Sequence, residues 1–203
     1  MSHQFLYEIG LEELPARFIP DLEAQLKGLV SQFLNDQGLA YSKIKSYSTP
    51  RRLAVQVWDL ADSQEDKTES LRGPAKKIAL DQDGQWTKAA LGFAKGQGMS
   101  ADDIVFKEDK GQDYAFIEKF RPGQKADQVL EDISQVVSGL TAPVSMKWGD
   151  NHFRFVRPVH QLVCLLDDQV IDSPLFNIPS GRKTDGHRFL GETLELASAC
   201  LLY

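Results

Sequence analysis

Residues 153–168, FRFVRPVHQLVCLLDD, and residues 180–189, SGRKTDGHRF, decide how the chain is read. The run 159–166 is apolar at odd and even positions alike, so it reads as a strand buried on both faces, inside a sheet. Arg154, Arg157 and His160 stand at its entrance, and Arg182, Lys183, His187 and Arg188 follow its exit. Such side chains are donors for phosphate presented by a scaffold. The stretch holds no nucleophile elbow, metal cage or phosphate-binding loop, so it reads as binding rather than catalysis.

Working outward, the segment before this run is mixed. Residues 5–9 alternate as a short strand that Gly10 breaks, and Phe18, Leu22, Leu26, Leu29, Val30, Phe33 and Leu34 then recur at helical spacing. Pro15 and Pro20 suit first-turn positions, which predicts an opening turn and a helix over 20–36 that Gly38 stops. Residues 44–47 and 53–60 read as strands joined by a turn that ends in Arg51 and Arg52.

The polar stretch 61–70 has no periodicity and marks a junction between two lobes, near 62–72. Beyond it, turn chemistry at 81–84 separates residues 78–80 from 85–86. Thr87 caps a helix through Lys95, and 104–107 with 114–120 make a hairpin. Residues 125–140 read as a second amphipathic helix with Val129, Ile133, Val136, Val137 and Leu140 on one side. The expectation is an α+β fold: mixed or antiparallel sheets with a few amphipathic helices, in two small lobes. The first is a strand-helix-strand-strand lobe over 1–65, and the second an α+β lobe over 70–203, truncated at its C-terminal end.

Composition narrows the function. The 203 residues are 42% hydrophobic and 26% charged, enough to build a sizeable core, and the net charge of −6 disfavours coating nucleic acid by bulk electrostatics. Local charge differs: Lys147, Arg154 and Arg157 stand against Asp150, and Arg182, Lys183 and Arg188 against Asp185. No secretory leader and no run of about eighteen apolar residues is seen, so no membrane association is expected. Cys164 and Cys200 form no ligand-like pair and fit a reducing cytosol.

The motifs that invite chemistry have plainer readings. Gly96 and Gly98 leave a helix rather than enter one, so they cap it instead of cradling phosphate. Glu12 and Glu13 are adjacent, which does not make an acid/base pair. His3, His152, His160 and His187 are scattered without zinc spacing, and His160, inside an apolar run, reads as a core or edge histidine. Ser180 lacks the strand-turn-helix frame of a nucleophile. No catalytic residue and no metal site is assigned.

Seven motifs in register then point to a family. EIGLEELPARF (8–18), TPRRLAV (49–55), RGP (72–74), TKAALGFAKGQG (87–98), KWGD (147–150), RFVRPVH (154–160) and SGRKTDGHRF (180–189) closely resemble the beta subunit of bacterial heterotetrameric glycyl-tRNA synthetase. The resemblance implies a subunit of a cytoplasmic glycine–tRNA ligase, paired with an alpha subunit in an alpha2beta2 tetramer and acting on tRNA-Gly. It implies that ATP with magnesium is used by the complete enzyme and that neither is bound by this stretch. Adenylate chemistry resides mainly in the alpha subunit of that family, and the beta subunit supplies tRNA recognition and assembly. The family's beta subunit is much longer, so the chain reads as an N-terminal fragment without ligase activity on its own. Its pattern is lost after Cys200, and Leu194, Leu196, Leu201 and Leu202 read as surface that further domains would cover.

Two roles remain open at this point. In one, Arg154, Arg157, Arg182, Lys183, His187 and Arg188 meet RNA. In the other, the region is an assembly module in which Arg17, Arg51 and Arg52 pair with carboxylates. Basic side chains exposed on an open face favour the first, and ion pairs favour the second.

Overall fold

The computed structural model describes residues 2–81, 84–109, 111–148, 153–186 and 191–200. In chain order its elements are β1 (Ser2–Leu11), a 3-10 turn (Ala16–Phe18), α1 (Ile19–Asp36), β2 (Lys43–Thr49), β3 (Arg52–Ala61) and β4 (Lys67–Ala75). Short helices α2 (Lys76–Ala79) and α3 (Lys88–Gly96) precede β5 (Ile104–Asp109) and β6 (Gln112–Arg121). Then come α4 (Ala126–Leu130), a 3-10 helix (Ile133–Gly139), β7 (Val159–Leu166), β8 (Gln169–Val170), β9 (Lys183–Asp185) and β10 (Thr193–Glu195). The fold is α+β with antiparallel pairing between its strands, as expected.

Two compact units result: residues 1–64 with 124–203, and residues 65–123. The expected continuous lobe over 70–203 is therefore corrected, because the chain re-enters the first unit. Gln64 N–H donates to Gln124 O at 2.9 Å, and Ala126 N–H donates to Asp62 O at 2.8 Å. The outgoing and returning strands thus lie side by side, and 65–123 is an insertion.

In the first unit the sheet order is β2-β3-β1-β7-β8. Alternation along β1 sends Phe5, Tyr7, Ile9 and Leu11 into the main core with Leu22, Leu26, Val30 and Leu34 of α1. Leu6 faces the other way and packs with Val163, Leu165, Leu196 and Ala199. Both faces of β7 are thus covered, which is why its sequence does not alternate. Burying each of these large apolar side chains is worth about 1.5–3 kcal/mol. Gly10 does not end β1. A Cβ there would stand 3.0 Å from the Cβ of Gln161, so glycine is what lets two strands approach.

The expected helix over 125–140 is broken. Val129, Ile133, Val136, Val137 and Leu140 are buried as expected, but Ser134 N–H donates to Ser173 Oγ at 3.1 Å rather than to the carbonyl four residues back. Ser134 Oγ in turn donates to Ser173 O at 2.7 Å and accepts from the buried Tyr7 hydroxyl at 3.1 Å. Tertiary hydrogen bonds have taken a donor that a continuous helix needs. Burial pushes the Tyr7 phenol up despite that bond.

The inserted unit is a sheet in the order β4-β6-β5 with Ala115 and Ile117 packed on Ala79, Ala90 and Ala94 of the helices. One sequence expectation changes here: residues 67–70 of the polar stretch belong to an edge strand, Lys67–Ala75. After the helical turn Lys76–Ala79, Leu80 bridges Trp86 in antiparallel sense, joining the two segments that the sequence sets on either side of a turn. Thr87 caps α3 as expected, accepting from Ala90 N–H.

One polar clasp ties the first unit together. His3 places Nδ1 2.6 Å from Asp167 Oδ2 and Nε2 2.9 Å from Asp62 Oδ1, and both carboxylates hold its imidazolium form above the ordinary histidine range. Hydrogen bonding to His3 lowers the Asp62 carboxyl correspondingly. A raised histidine contributes stability that is complete below its unfolded pKa, about 6.5, and is lost as pH rises through the folded value. Melting His3→Ala and the parent chain from pH 5.5 to 9 should give curves that differ most at the acid end and converge at the alkaline end. A constant offset across the range would refute the clasp.

Candidate functional site

Three strands meet where β1 ends, β3 begins and β7 begins. Gly10 is opposite both Arg52 and Gln161, so these residues form a row across the sheet. Two residues back along β1, on the same face, stands Glu8. Arg52 Nε is 3.5 Å from Glu8 Oε1, and its Nη2 donates to the carbonyl of Asp185. The Thr184 hydroxyl donates to Glu8 Oε1 from the neighbouring residue. Gln161 Oε1 accepts from Asp185 N–H at 3.2 Å. A sheet carboxylate, a guanidinium and an amide therefore hold β9 against the sheet.

Glu8 is only 2% exposed, and among the described residues its Oε2 has no hydrogen-bond partner. Burial raises its pKa; the Thr184 hydroxyl and the Arg52 charge oppose that rise without cancelling it. Arg51 precedes β3 and turns elsewhere: Nη2 is 3.4 Å from Glu12 Oε2, while His160 Nε2 is 3.1 Å from Glu12 Oε1. His160 is therefore not a core histidine. It is exposed, at the edge of this cluster.

Gly10, Arg51, Arg52, His160 and Asp185 line a cleft of about 60 Å³. That is small beside the several hundred Å³ of a typical small-molecule pocket. Among the described residues no group of three or more His, Cys, Asp or Glu side chains is placed to hold a metal ion, and no step is assigned to magnesium. A larger cleft, about 840 Å³, lies within the inserted unit beside Lys76, Lys77, Asp81 and Asp113. Its Lys76 is already 3.1 Å from Asp113.

The other basic candidates take a different class of partner. Arg154 donates through Nε to Ser145 Oγ at 3.1 Å and through Nη2 to Ser145 O at 2.8 Å. Arg157 donates to Glu13 O at 3.0 Å and Val156 O at 2.9 Å. Arg182 reaches Asp168 O at 2.8 Å, on the turn after β7, and so points away from the Arg51/Arg52 cluster. Carbonyl oxygens satisfy hydrogen bonds without neutralising charge, so these three guanidinium groups are oriented and keep their positive charge. Lys183 is exposed and only 4.0 Å from Glu195, a pair that water screens. Arg17 lies over the Phe18 ring at 4.8 Å. His187 and Arg188 lie outside the described residues, as do Leu201 and Leu202. Leu194 is exposed and Leu196 is buried.

Glu8 and Thr184 are residues that sequence reasoning does not single out. The available signal is an acid at an interior-facing position between Tyr7 and Ile9, since a carboxylate there requires a donor from another element.

Comparison with known proteins adds a family. The model described as glycyl-tRNA synthetase beta subunit matches residues 5–200. The chain is 49% identical over 199 residues to the glycine–tRNA ligase beta subunit of Lactobacillus acidophilus, covering 98% of this chain and 29% of that protein. The protein of the same name from Lactobacillus gasseri is 48% identical, and that from Streptococcus equi subsp. zooepidemicus 49%, each with the same coverage. The chain thus spans 29% of the length of the relatives it matches.

The buried carboxyl yields a stability test. With a raised folded pKa, Glu8 favours the folded state fully below its unfolded pKa of about 4.3, and that contribution is lost as pH rises through the folded value. Glu8→Gln keeps an acceptor for Thr184 and removes the charge. It should melt above the parent at pH 8, and the two should converge as pH falls to about 4. If Gln melts lower than Glu at pH 8, pairing with Arg52 outweighs burial and the reading of Glu8 fails.

Proposed function

The chain belongs to the glycyl-tRNA synthetase beta subunit family, and from that premise we propose that it is part of a glycine–tRNA ligase and contributes a tRNA-binding surface. The complete enzyme would join glycine to tRNA-Gly with ATP and magnesium, through glycyl-adenylate, together with an alpha subunit in an alpha2beta2 tetramer in the cytoplasm. Adenylate chemistry would belong to that partner. No helix among the described residues is long and apolar enough to cross a membrane.

The observation that carries the RNA reading is the kind of acceptor the arginines use. Arg154, Arg157 and Arg182 are held by main-chain carbonyls and a serine hydroxyl, so each remains a positioned cation with further N–H donors for phosphate oxygens. Phosphate contacts of this kind fix register on an RNA without reading its sequence.

A second reading, an assembly module that touches no RNA, draws on the ion pairs. Arg51 pairs with Glu12 and Arg52 with Glu8, inside this chain, so their charge is spent on shaping the end of the sheet. Arg17, exposed beside Phe18, is the remaining candidate for contact with the alpha subunit.

Both readings meet one experiment: tRNA-Gly binding by the chain across a salt series. The parent should bind with a steep salt slope, and Arg154→Ala, Arg157→Ala and Arg182→Ala should each lower that slope by about one for each phosphate the arginine neutralises. Arg51→Ala should leave the slope unchanged and lower the melting temperature. Absence of salt-sensitive binding by chain with native circular dichroism would leave the assembly module as the better account.

A further inference from the structure

A second feature of the first unit lies apart from the Arg51/Arg52 cluster. Leu175 and Ile178 exchange backbone hydrogen bonds of 2.9 and 2.8 Å around Phe176 and Asn177, whose φ values are +50° and +69°. This is a two-residue turn with both central positions left-handed, where Asn-Gly is the usual occupant and a bulky side chain is rare. Phe176 stays there because its ring is the hub of an aromatic cluster. Centroids lie 5.8 Å from Trp148, 4.9 Å from Phe153 and 5.8 Å from Phe155.

The cluster is only half covered. Met146 and Phe155 exchange backbone hydrogen bonds of 2.8 and 3.1 Å, joining their segments into a narrow ribbon. Phe153 is 52% exposed, Met146 39% and Val144 51%. By alternation Ser145, Lys147 and Arg154 occupy the ribbon's other side, one strand thickness away. Arg154 is held there by Ser145, and neither it nor Lys147 has a carboxylate partner among the described residues. Thus a backbone strained to hold an aromatic hub, an exposed ring on that hub and two cations without a carboxylate partner among the described residues share one ribbon.

We propose that this ribbon is a stacking site for unpaired RNA: a base lies on the Phe153 ring, and flanking phosphates pass the ribbon edge to meet Lys147 and Arg154. Stacking on an aromatic ring is how proteins hold splayed-out bases of single strands, loops and ends, and every base offers a π-face. A duplex keeps its bases stacked on one another and offers the ring no free π-face, so a ring flanked by cations suits unpaired nucleotides. The inference deepens the RNA reading of the chain, since it names unpaired nucleotides as what this surface takes.

The test is fluorescence anisotropy of labelled hexauridylate, hexaadenylate and a blunt RNA duplex with the whole chain, alongside tRNA-Gly. Single strands should bind more tightly than the duplex. Phe153→Leu, checked for native circular dichroism because the ring also packs on Phe176, should weaken single-strand binding about ten-fold, and Phe153→Trp should keep it. Lys147→Ala should weaken both oligonucleotides equally and flatten the salt slope by about 0.7. If Phe153→Leu binds as well as the parent, stacking is refuted and the patch is an apolar protein-docking surface. If tRNA binds and no Phe153 variant changes binding to tRNA or oligonucleotide, the ribbon proposal falls while the RNA reading of the chain stands. If folded chain binds neither tRNA nor oligonucleotide, both fall together.

Discussion

Pairing of β1 with β7 is the constraint on which the first unit depends. It joins Phe5–Leu11 to Val159–Leu166 across most of the chain, with the helix, two strands and an inserted unit between them. Such a contact closes a long loop before it is rewarded, so it holds only if both faces of the joined strands bury apolar surface. That requirement accounts for the remainder. Helix α1 and the 133–139 helix cover one face, and Leu196 and Ala199 cover the other. It also brings Glu12, Arg51 and His160, far apart in sequence, to one end of one sheet.

Covering a sheet face with a strand as short as β9 leaves little apolar area to do the holding, and the polar contacts make up the difference. Glu8 is the cost of that arrangement. A buried carboxyl with one oxygen unpartnered among the described residues is tolerated because its other oxygen receives Thr184, and Arg52 stands behind it. The same guanidinium holds the Asp185 carbonyl, so Arg52 is committed twice over to shaping the fold. A residue so used is poorly placed to meet an external phosphate, whereas Arg157, which among the described residues is bound to carbonyls, gives up nothing by meeting one.

Where local pattern and tertiary demand agree, the sequence is legible. The apolar run of β7, the spacing in α1, the Thr87 cap and the hairpin of β5 and β6 all follow from periodicity and turn chemistry, because burial enforces the same period the backbone prefers. Illegibility begins where a distant group intervenes. Nothing local to Ser134 forecasts that Ser173 will take its N–H and break a helix whose apolar face is otherwise continuous. Nor does composition around 61–70 distinguish a linker from an edge strand, since an edge strand of a small sheet is polar on its open side. The return of the chain at Gln124 is fixed by bonds to Asp62 and Gln64, which no window of sequence contains.

The basic candidates are legible as residues and illegible as a set. Seen in sequence, Arg51, Arg52, Arg154, Arg157 and Arg182 are alike, and only the acceptor each one finds sorts them. A carboxylate acceptor removes charge and stores it as internal geometry; a carbonyl acceptor fixes the guanidinium and leaves its field intact. With a net charge of −6, the chain has no general attraction for polyanions, so any affinity for RNA must come from such fixed cations acting locally. That makes binding a property of particular orientations: of Arg154 on its ribbon and Arg157 over the Glu13 carbonyl. Lysine in either place would keep the charge without the two-point hold that aims it.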